Sequence, residues 1–265
     1  DMTRLGVIGI GNMGEAILRG ACSGGALKAD ETFVFDHNPQ KAEPLHREFG
    51  VRVCSDIDEL FENSTLILLA VKPHSLDTLA EEKYDFFAEK GVISIVAGRS
   101  GERLASMLPQ STRILHTMPN TPALVGEGMV VFEDGDTLLR EERDFAERLF
   151  GAVGKVERVT AHLMDAVTGI SGSGPAYVDL FIEALADAGV RAGLPRAMAY
   201  RLSAQTVYGS AKLVLETGEA PAVLKDKVCS PGGTTIEAVA ALEEFGLRNA
   251  VLKAVDACVR KSKSM

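Results

Sequence analysis

Leu5-Gly6-Val7-Ile8-Gly9-Ile10-Gly11-Asn12-Met13-Gly14 sets four apolar residues against a glycine-rich turn and the start of an amphipathic segment. The apolar four read as a buried strand, and Met13 to about Ser23 reads as the helix that follows. A GxGxxG turn at that junction is built for the phosphates of a dinucleotide. Gly9 allows the tight turn, Gly11 lets the backbone approach a pyrophosphate, and Gly14 lets helix and sheet pack closely. The helix start at Asn12 and Met13 points its free amides at the phosphates.

Beyond this turn, apolar runs alternate with helical stretches: Phe33-Val34-Phe35, Val51 to Val53, Leu66 to Val71, Val92 to Val96, Arg113 to His116, Gly128 to Phe132 and Gly154-Lys155-Val156. Strands that alternate with helices imply parallel pairing, and continuous apolar strands imply a sheet buried on both faces. After about residue 160 the strand signal stops. His162 to Ile170, Ala176 to Ala192, Arg196 to Glu216, Ala220 to Lys227, Thr235 to Phe245 and Gly246 to Lys261 read as helices. They are rich in Ala, Leu and Val, so they pack tightly and leave apolar surface for another subunit. The fold class is therefore α/β: an N-terminal Rossmann-type, mostly parallel sheet domain over residues 1–158, then an all-α dimerisation domain over residues 159–265 that also binds substrate.

Composition narrows the function. The chain has 265 residues, 46% hydrophobic and 25% charged, with a formal net charge of -9. That balance argues against a basic surface for nucleic acid or anionic lipid. Cys22, Cys54, Cys229 and Cys258 show no CxxC spacing, the five histidines form no HExxH, and no metal site is expected. No apolar run nears the roughly 20 residues that span a bilayer. The first strand at Leu5 leaves no room for a signal peptide, and Asp1 ahead of Met2 looks like a cloning leftover. The expectation is a soluble cytoplasmic protein without membrane or nucleic-acid partners.

At the end of the second strand, Asp36 stands where an acid would take the ribose hydroxyls of NAD. His37 and Asn38 follow, and either can hold the 2'-phosphate of NADP if Asp36 turns aside, so NADPH and NADH both stay open. Ala70-Val71-Lys72-Pro73 and Ala97-Gly98 end two further strands and should border the cofactor crevice. Met118-Pro119-Asn120-Thr121-Pro122 makes a rigid loop from which Asn120 can orient the carboxamide or the substrate.

In the helical half, Ser171-Gly172-Ser173-Gly174-Pro175-Ala176-Tyr177 reads as a packing break. Cys229-Ser230-Pro231-Gly232-Gly233-Thr234-Thr235 reads as an anion pocket before a helix. Ser230 or Thr234 can cap that helix, and the amides of Gly232, Gly233 and Thr234 can hold a carboxylate.

Together with Lys225-Asp226-Lys227-Val228, these segments span nearly the whole chain and closely resemble the pyrroline-5-carboxylate reductase family. The 225–235 stretch is the most specific and the glycine turn the least. Departures fall at Asp36-His37-Asn38, Ile57 and Val96. The resemblance implies reduction of 1-pyrroline-5-carboxylate to L-proline by NADPH or NADH, the last step of proline biosynthesis. It also implies a helical domain that intertwines with a second subunit, and homodimers that assemble further into decamers.

In that reaction Ser230, Gly232, Gly233 and Thr234 would bind the substrate carboxylate. Thr235 would hydrogen-bond the ring nitrogen and relay a proton. A related hydroxyacid dehydrogenase or imine reductase would instead carry a lysine in a GxxxxxxKxxN-like helix; Lys212 lacks the following Asn. A non-catalytic dinucleotide sensor would have no use for the 230–235 turn.

Overall fold

The computed structural model describes residues 3–265; Asp1 and Met2, and the leftover read there, lie outside it. Two compact units emerge. The first runs to Gly172 and includes Val259–Met265; the second is Ser173–Cys258.

The first unit alternates as its sequence does: β1 (Leu5–Ile8), α1 (Asn12–Ser23), β2 (Thr32–Phe35), α2 (Pro39–Phe49), β3 (Arg52–Val53), α3 (Ile57–Asn63), β4 (Leu66–Leu69), α4 (Pro73–Glu82), β5 (Gly91–Ser94), α5 (Gly101–Met107) and β6 (Arg113–Met118). It continues with β7 (Gly128–Glu133), α6 (Arg140–Gly151), β8 (Gly154–Val159) and the single turn α7 (Met164–Val167). The strands form one sheet in the order β3-β2-β1-β4-β5-β6-β7-β8. Alternation within each strand sends side chains to two cores. Leu5, Val7, Leu66 and Leu68 join the layer under α1 and α6, with Ile17, Leu149 and Phe150. Ile8, Ile67 and Leu69 join the other, with Leu76 of α4 and Leu104 of α5. All four residues of β4 are fully buried, each worth about 1.5–3 kcal/mol relative to exposure.

One pairing departs from the parallel expectation. β6 and β7 are antiparallel, with Thr117 opposite Phe132 and Met118 opposite Val131. The link between them carries only a short 3-10 stretch at Thr121–Val125, and a parallel crossover needs a dozen or more residues. β8 is parallel to β7 again, because α6 supplies that crossover.

The stretch expected as one helix over His162 to Ile170 is three pieces: a 3-10 turn, α7, and a π turn at Thr168–Gly172. The first unit therefore runs on past the last strand, to Gly172.

The second unit holds α8 (Gly174–Arg191), α9 (Arg196–Thr217), α10 (Pro221–Val228), α11 (Thr234–Glu244) and most of α12 (Leu247–Lys263). α8 and α9 meet through small residues. A Cβ at Gly189 would lie 3.4 Å from the Ala199 Cβ, and Ala186 and Ala199 are fully buried. No described helix is long and apolar enough to cross a membrane.

Candidate functional site

The glycine turn divides its work among three residues. Gly9 has a φ of +97°, and a Cβ there would sit 2.6 Å from the Ala70 carbonyl oxygen. At Gly14 a Cβ would lie 2.6 Å from the Gly9 oxygen and 3.2 Å from the Ala70 Cβ. These two glycines are demanded by packing. Gly11 is not: its φ is -82° and a Cβ would meet nothing within 4 Å. Gly11 is also the N-cap of α1, without a side-chain cap, so the first amides of the helix, at Asn12 and Met13, lack a capping acceptor. An open glycine beside bare helix amides is the donor set a pyrophosphate requires. The residues present fit a dinucleotide.

Asp36 is turned onto backbone. Its Oδ2 accepts from the Ile10 amide at 2.7 Å and its Oδ1 from the Asn38 amide at 2.8 Å. The carboxylate thereby pins the glycine turn to the end of β2, and its charge is partly met by protein donors. Asn38 accepts from Gln40 as the N-cap of α2, and its neighbour His37 stands edge-on to Phe35 with centroids 5.7 Å apart.

The next two turns lie at the carboxyl ends of β4 and β5, where ligands of such sheets bind. Ala70 holds β1 through its amide to the Ile8 oxygen, 2.9 Å. Val71 is half-buried, Lys72 is exposed, and Pro73 opens α4. After β5, the buried Ser94 hydroxyl accepts from Val96 at 3.1 Å, and Ala97 and Gly98 emerge at the surface with Gly98 at φ +72°.

Arg99, which sequence reading passed over, grips Asp77 of α4 with two hydrogen bonds, Nε to Oδ1 at 2.8 Å and Nη2 to Oδ2 at 2.6 Å. The guanidinium holds the Asp77 carboxyl below the usual carboxylate range. An arginine directly after a strand-end glycine was the only signal, because its partner lies 22 residues away.

Asn120 is buried, and its amide is engaged on both sides. Nδ2 donates to the Ser171 oxygen at 3.0 Å, and Oδ1 accepts from the Met129 amide at 2.8 Å. This ties the loop after β6 to the π turn and to β7, leaving little of the side chain to orient a ligand. The neighbouring His116 Nδ1 lies 2.7 Å from Glu133 Oε2, and both are buried. That contact holds the Glu133 carboxyl below its ordinary value.

In the second unit, α11 begins after Gly233 with no side-chain cap, so neither Ser230 nor Thr234 caps it. The reason is local. Gly232 takes a left-handed φ of +67° and Gly233 donates to the Ser230 carbonyl at 3.1 Å, so the turn closes through backbone. A Cβ at Gly233 would collide with the Ser230 hydroxyl. Thr234 and Thr235 occupy the first two helical positions, with α11 amides bare beside them. Lys212 makes an exposed i,i+4 pair with Glu216, 3.6 Å, on α9. Among the described residues no three His, Cys, Asp or Glu side chains gather as a metal site.

Two family models match the chain. "Pyrroline-5-carboxylate reductase dimerisation" covers residues 161–265, and "NADP oxidoreductase coenzyme F420-dependent" covers residues 4–98. The pyrroline-5-carboxylate reductase of Escherichia coli strain K12 is 43% identical over 99% of this chain and 98% of its own length. The pyrroline-5-carboxylate reductase structure from Coxiella burnetii superposes with a TM-score of 0.92 at 33% identity, covering 100% of this chain and 98% of that one. The Plasmodium falciparum pyrroline carboxylate reductase, solved with NADP bound, gives a TM-score of 0.88 at 32% identity, over 99% of this chain and 97% of that one.

Proposed function

The chain belongs to the pyrroline-5-carboxylate reductase family, and from that premise we propose that it reduces 1-pyrroline-5-carboxylate to L-proline with NADPH or NADH, closing proline biosynthesis. It is an NAD(P)H-dependent oxidoreductase and a homo-oligomer. What carries the reading is that the kinship runs through 99% of the chain, glycine turn and 230–235 turn alike.

The dinucleotide, when bound, supplies the hydride; the protein binds, orients and handles the proton. Gly11 and the α1 amides would take the pyrophosphate, while Ala70 to Pro73 and Ala97-Gly98 would border the nicotinamide half. With Asp36 committed to the Ile10 and Asn38 amides, both dinucleotides are admitted, and the exposed side chains of His37 and Asn38 would lie beside a 2'-phosphate. Asn120 would act through the loop it holds.

In the second unit the amides of Gly232 and Thr234, with the Ser230 hydroxyl, would hold the substrate carboxylate, and Gly233, whose amide is spent on the Ser230 carbonyl, would shape the turn around it. Thr235 would hydrogen-bond the ring nitrogen. An alcohol is a poor acid, so it relays a proton to the nitrogen and is not its source. Residues 1–158 thus serve the dinucleotide, and residues 159–265 the substrate and the dimer, with dimers assembling into decamers. The four cysteines lack the spacing of a disulfide framework, which supports a cytoplasmic site of action.

The test follows absorbance of NADH and of NADPH on addition of pyrroline-5-carboxylate. Oxidation is expected with at least one; none with either removes the reading. Thr235→Val should lower turnover about tenfold or more while dinucleotide affinity holds. Unchanged turnover takes Thr235 out of the mechanism.

A further inference from the structure

Two turns of the first unit edge the expected dinucleotide site: residues 70–73 after β4 and residues 95–100 after β5. The last backbone tie between them is the Ile95 amide on the Leu69 oxygen, 3.1 Å. Beyond it the chains diverge. One enters α4 at Pro73, and the other swings through Gly98 at φ +72° to α5, whose first turn Ser100 caps by accepting from Arg103 at 3.1 Å. With the ladder ended, side chains must set the gap between the two turns.

Arg99 does so with a planar fork. Two of its N–H groups meet both oxygens of Asp77 at 2.8 and 2.6 Å, and Nη1 donates to the Gly98 carbonyl at 3.1 Å. The Arg99 side chain is only 12% exposed, so it packs as well as pairs. A bidentate arginine–carboxylate contact fixes distance and plane together, which a single point charge cannot do. Asp77 lies one turn into α4, so the pair locks the backbone at Ala97-Gly98 to the helix that begins at Pro73.

The geometry points to Arg99 and Asp77 as a positioning pair that sets the width of the slot receiving the nicotinamide ribose, and hence the affinity for the dinucleotide. The inference rests on the dinucleotide reading above. Neither side chain needs to touch the cofactor. The pair acts through the Gly98 carbonyl and the start of α4.

The experiment measures the dissociation constant of NADPH and of NADH by ligand fluorescence or calorimetry, with KM for each substrate, kcat and thermal midpoint. The variants are Arg99→Gln, Asp77→Asn, Arg99→Lys and the double variant Arg99→Gln/Asp77→Asn. Each neutral single variant should weaken dinucleotide binding roughly three- to fivefold, the scale of a partly exposed ion pair. KM for the imine acid should stay within about twofold of wild type. The double variant should be no weaker than either single one, because both remove the same contact. Arg99→Lys should fall between, keeping the charge without the fork. If Arg99→Gln fails to fold, Asp77→Asn carries the test, since Asp77 is 37% exposed and the change conserves its volume. Wild-type dinucleotide affinity in the folded neutral variants overturns the proposal, as does an equal rise in both KM values. A wild-type protein that binds neither dinucleotide overturns the dinucleotide reading itself, a separate failure.

Discussion

Glycines of one motif answer to different forces at Gly9 and Gly11. At Gly9 a methyl group meets a carbonyl oxygen at 2.6 Å in a left-handed backbone, with Ala70 and β4 fixed behind it. Gly9→Ala should therefore cost stability, about 2–4 kcal/mol from strain and overpacking together. At Gly11 the same methyl group enters open space at an ordinary φ. Gly11→Ala should leave the unfolding midpoint within a degree or two of wild type and weaken dinucleotide binding tenfold or more, because on the proposed reading the methyl group would stand where the pyrophosphate approaches. Thermal unfolding and dinucleotide titration of the two variants separate fold from ligand; a Gly11→Ala protein that binds normally moves the phosphate elsewhere. The positions of these glycines were legible from strand, turn and helix alone. Where Asp36 would aim was not. A carboxylate at a strand end serves equally for a ribose or for a backbone amide, and the choice depended on the Ile10 amide, 26 residues away in sequence and 2.7 Å away in space.

At the scale of elements, the strands were legible because both faces are buried, so nearly every residue of β1, β4 and β5 is apolar. Direction was harder to read, since β7 looks like its neighbours in composition and only its short link to β6 turns it round. That reversal brings Glu133 at the end of β7 against His116 of β6, at 2.7 Å in a buried setting. A carboxylate only accepts hydrogen bonds, so His116 Nδ1 carries the proton between them. The Glu133 carboxyl is held below its usual value of 4.5, chiefly by that hydrogen bond. A depressed folded-state pKa contributes stability that is complete above the unfolded value and is lost as pH falls through the folded one. Glu133→Gln should thus lower stability by about 1.5–3 kcal/mol at pH 7, the scale of a buried hydrogen bond to a charged group. Below about pH 4.5 the gap to wild type should close. Urea unfolding from pH 7 to pH 3.5 reads this directly, and a gap that stays constant across the range would remove Glu133 as the titrating group.

For the whole molecule, the 173–258 unit exposes Leu180 at 67%, Leu215 at 80% and Phe245 at 86%, while the side chains it buries are mainly small. Apolar surface on this scale marks an interface, and the dimerisation family matched over residues 161–265 says what kind. The seam between α8 and α9 offers a specific place to test. Leu185, Gly189, Ala199, Leu202 and Thr206 line a groove of about 330 Å³ there, with Leu202 half-exposed on its rim. A subunit that completes its core on a second copy should unfold at a temperature that rises with protein concentration, since association adds stability by mass action. The apparent midpoint should climb by a few degrees over a hundredfold concentration range. Leu202→Glu places a charge where an apolar side chain is expected to be covered, and an unpaired charge buried at an interface costs several kcal/mol. In light scattering the variant should shift to the mass of a single chain, and its midpoint should lose the concentration dependence. The glycine turn proposed for the dinucleotide belongs to the other unit, so NADPH should still bind the dissociated variant with near wild-type affinity while turnover falls. A Leu202→Glu protein of wild-type mass would take Leu202 out of the interface, and loss of NADPH binding along with assembly would tie the dinucleotide site to the oligomer.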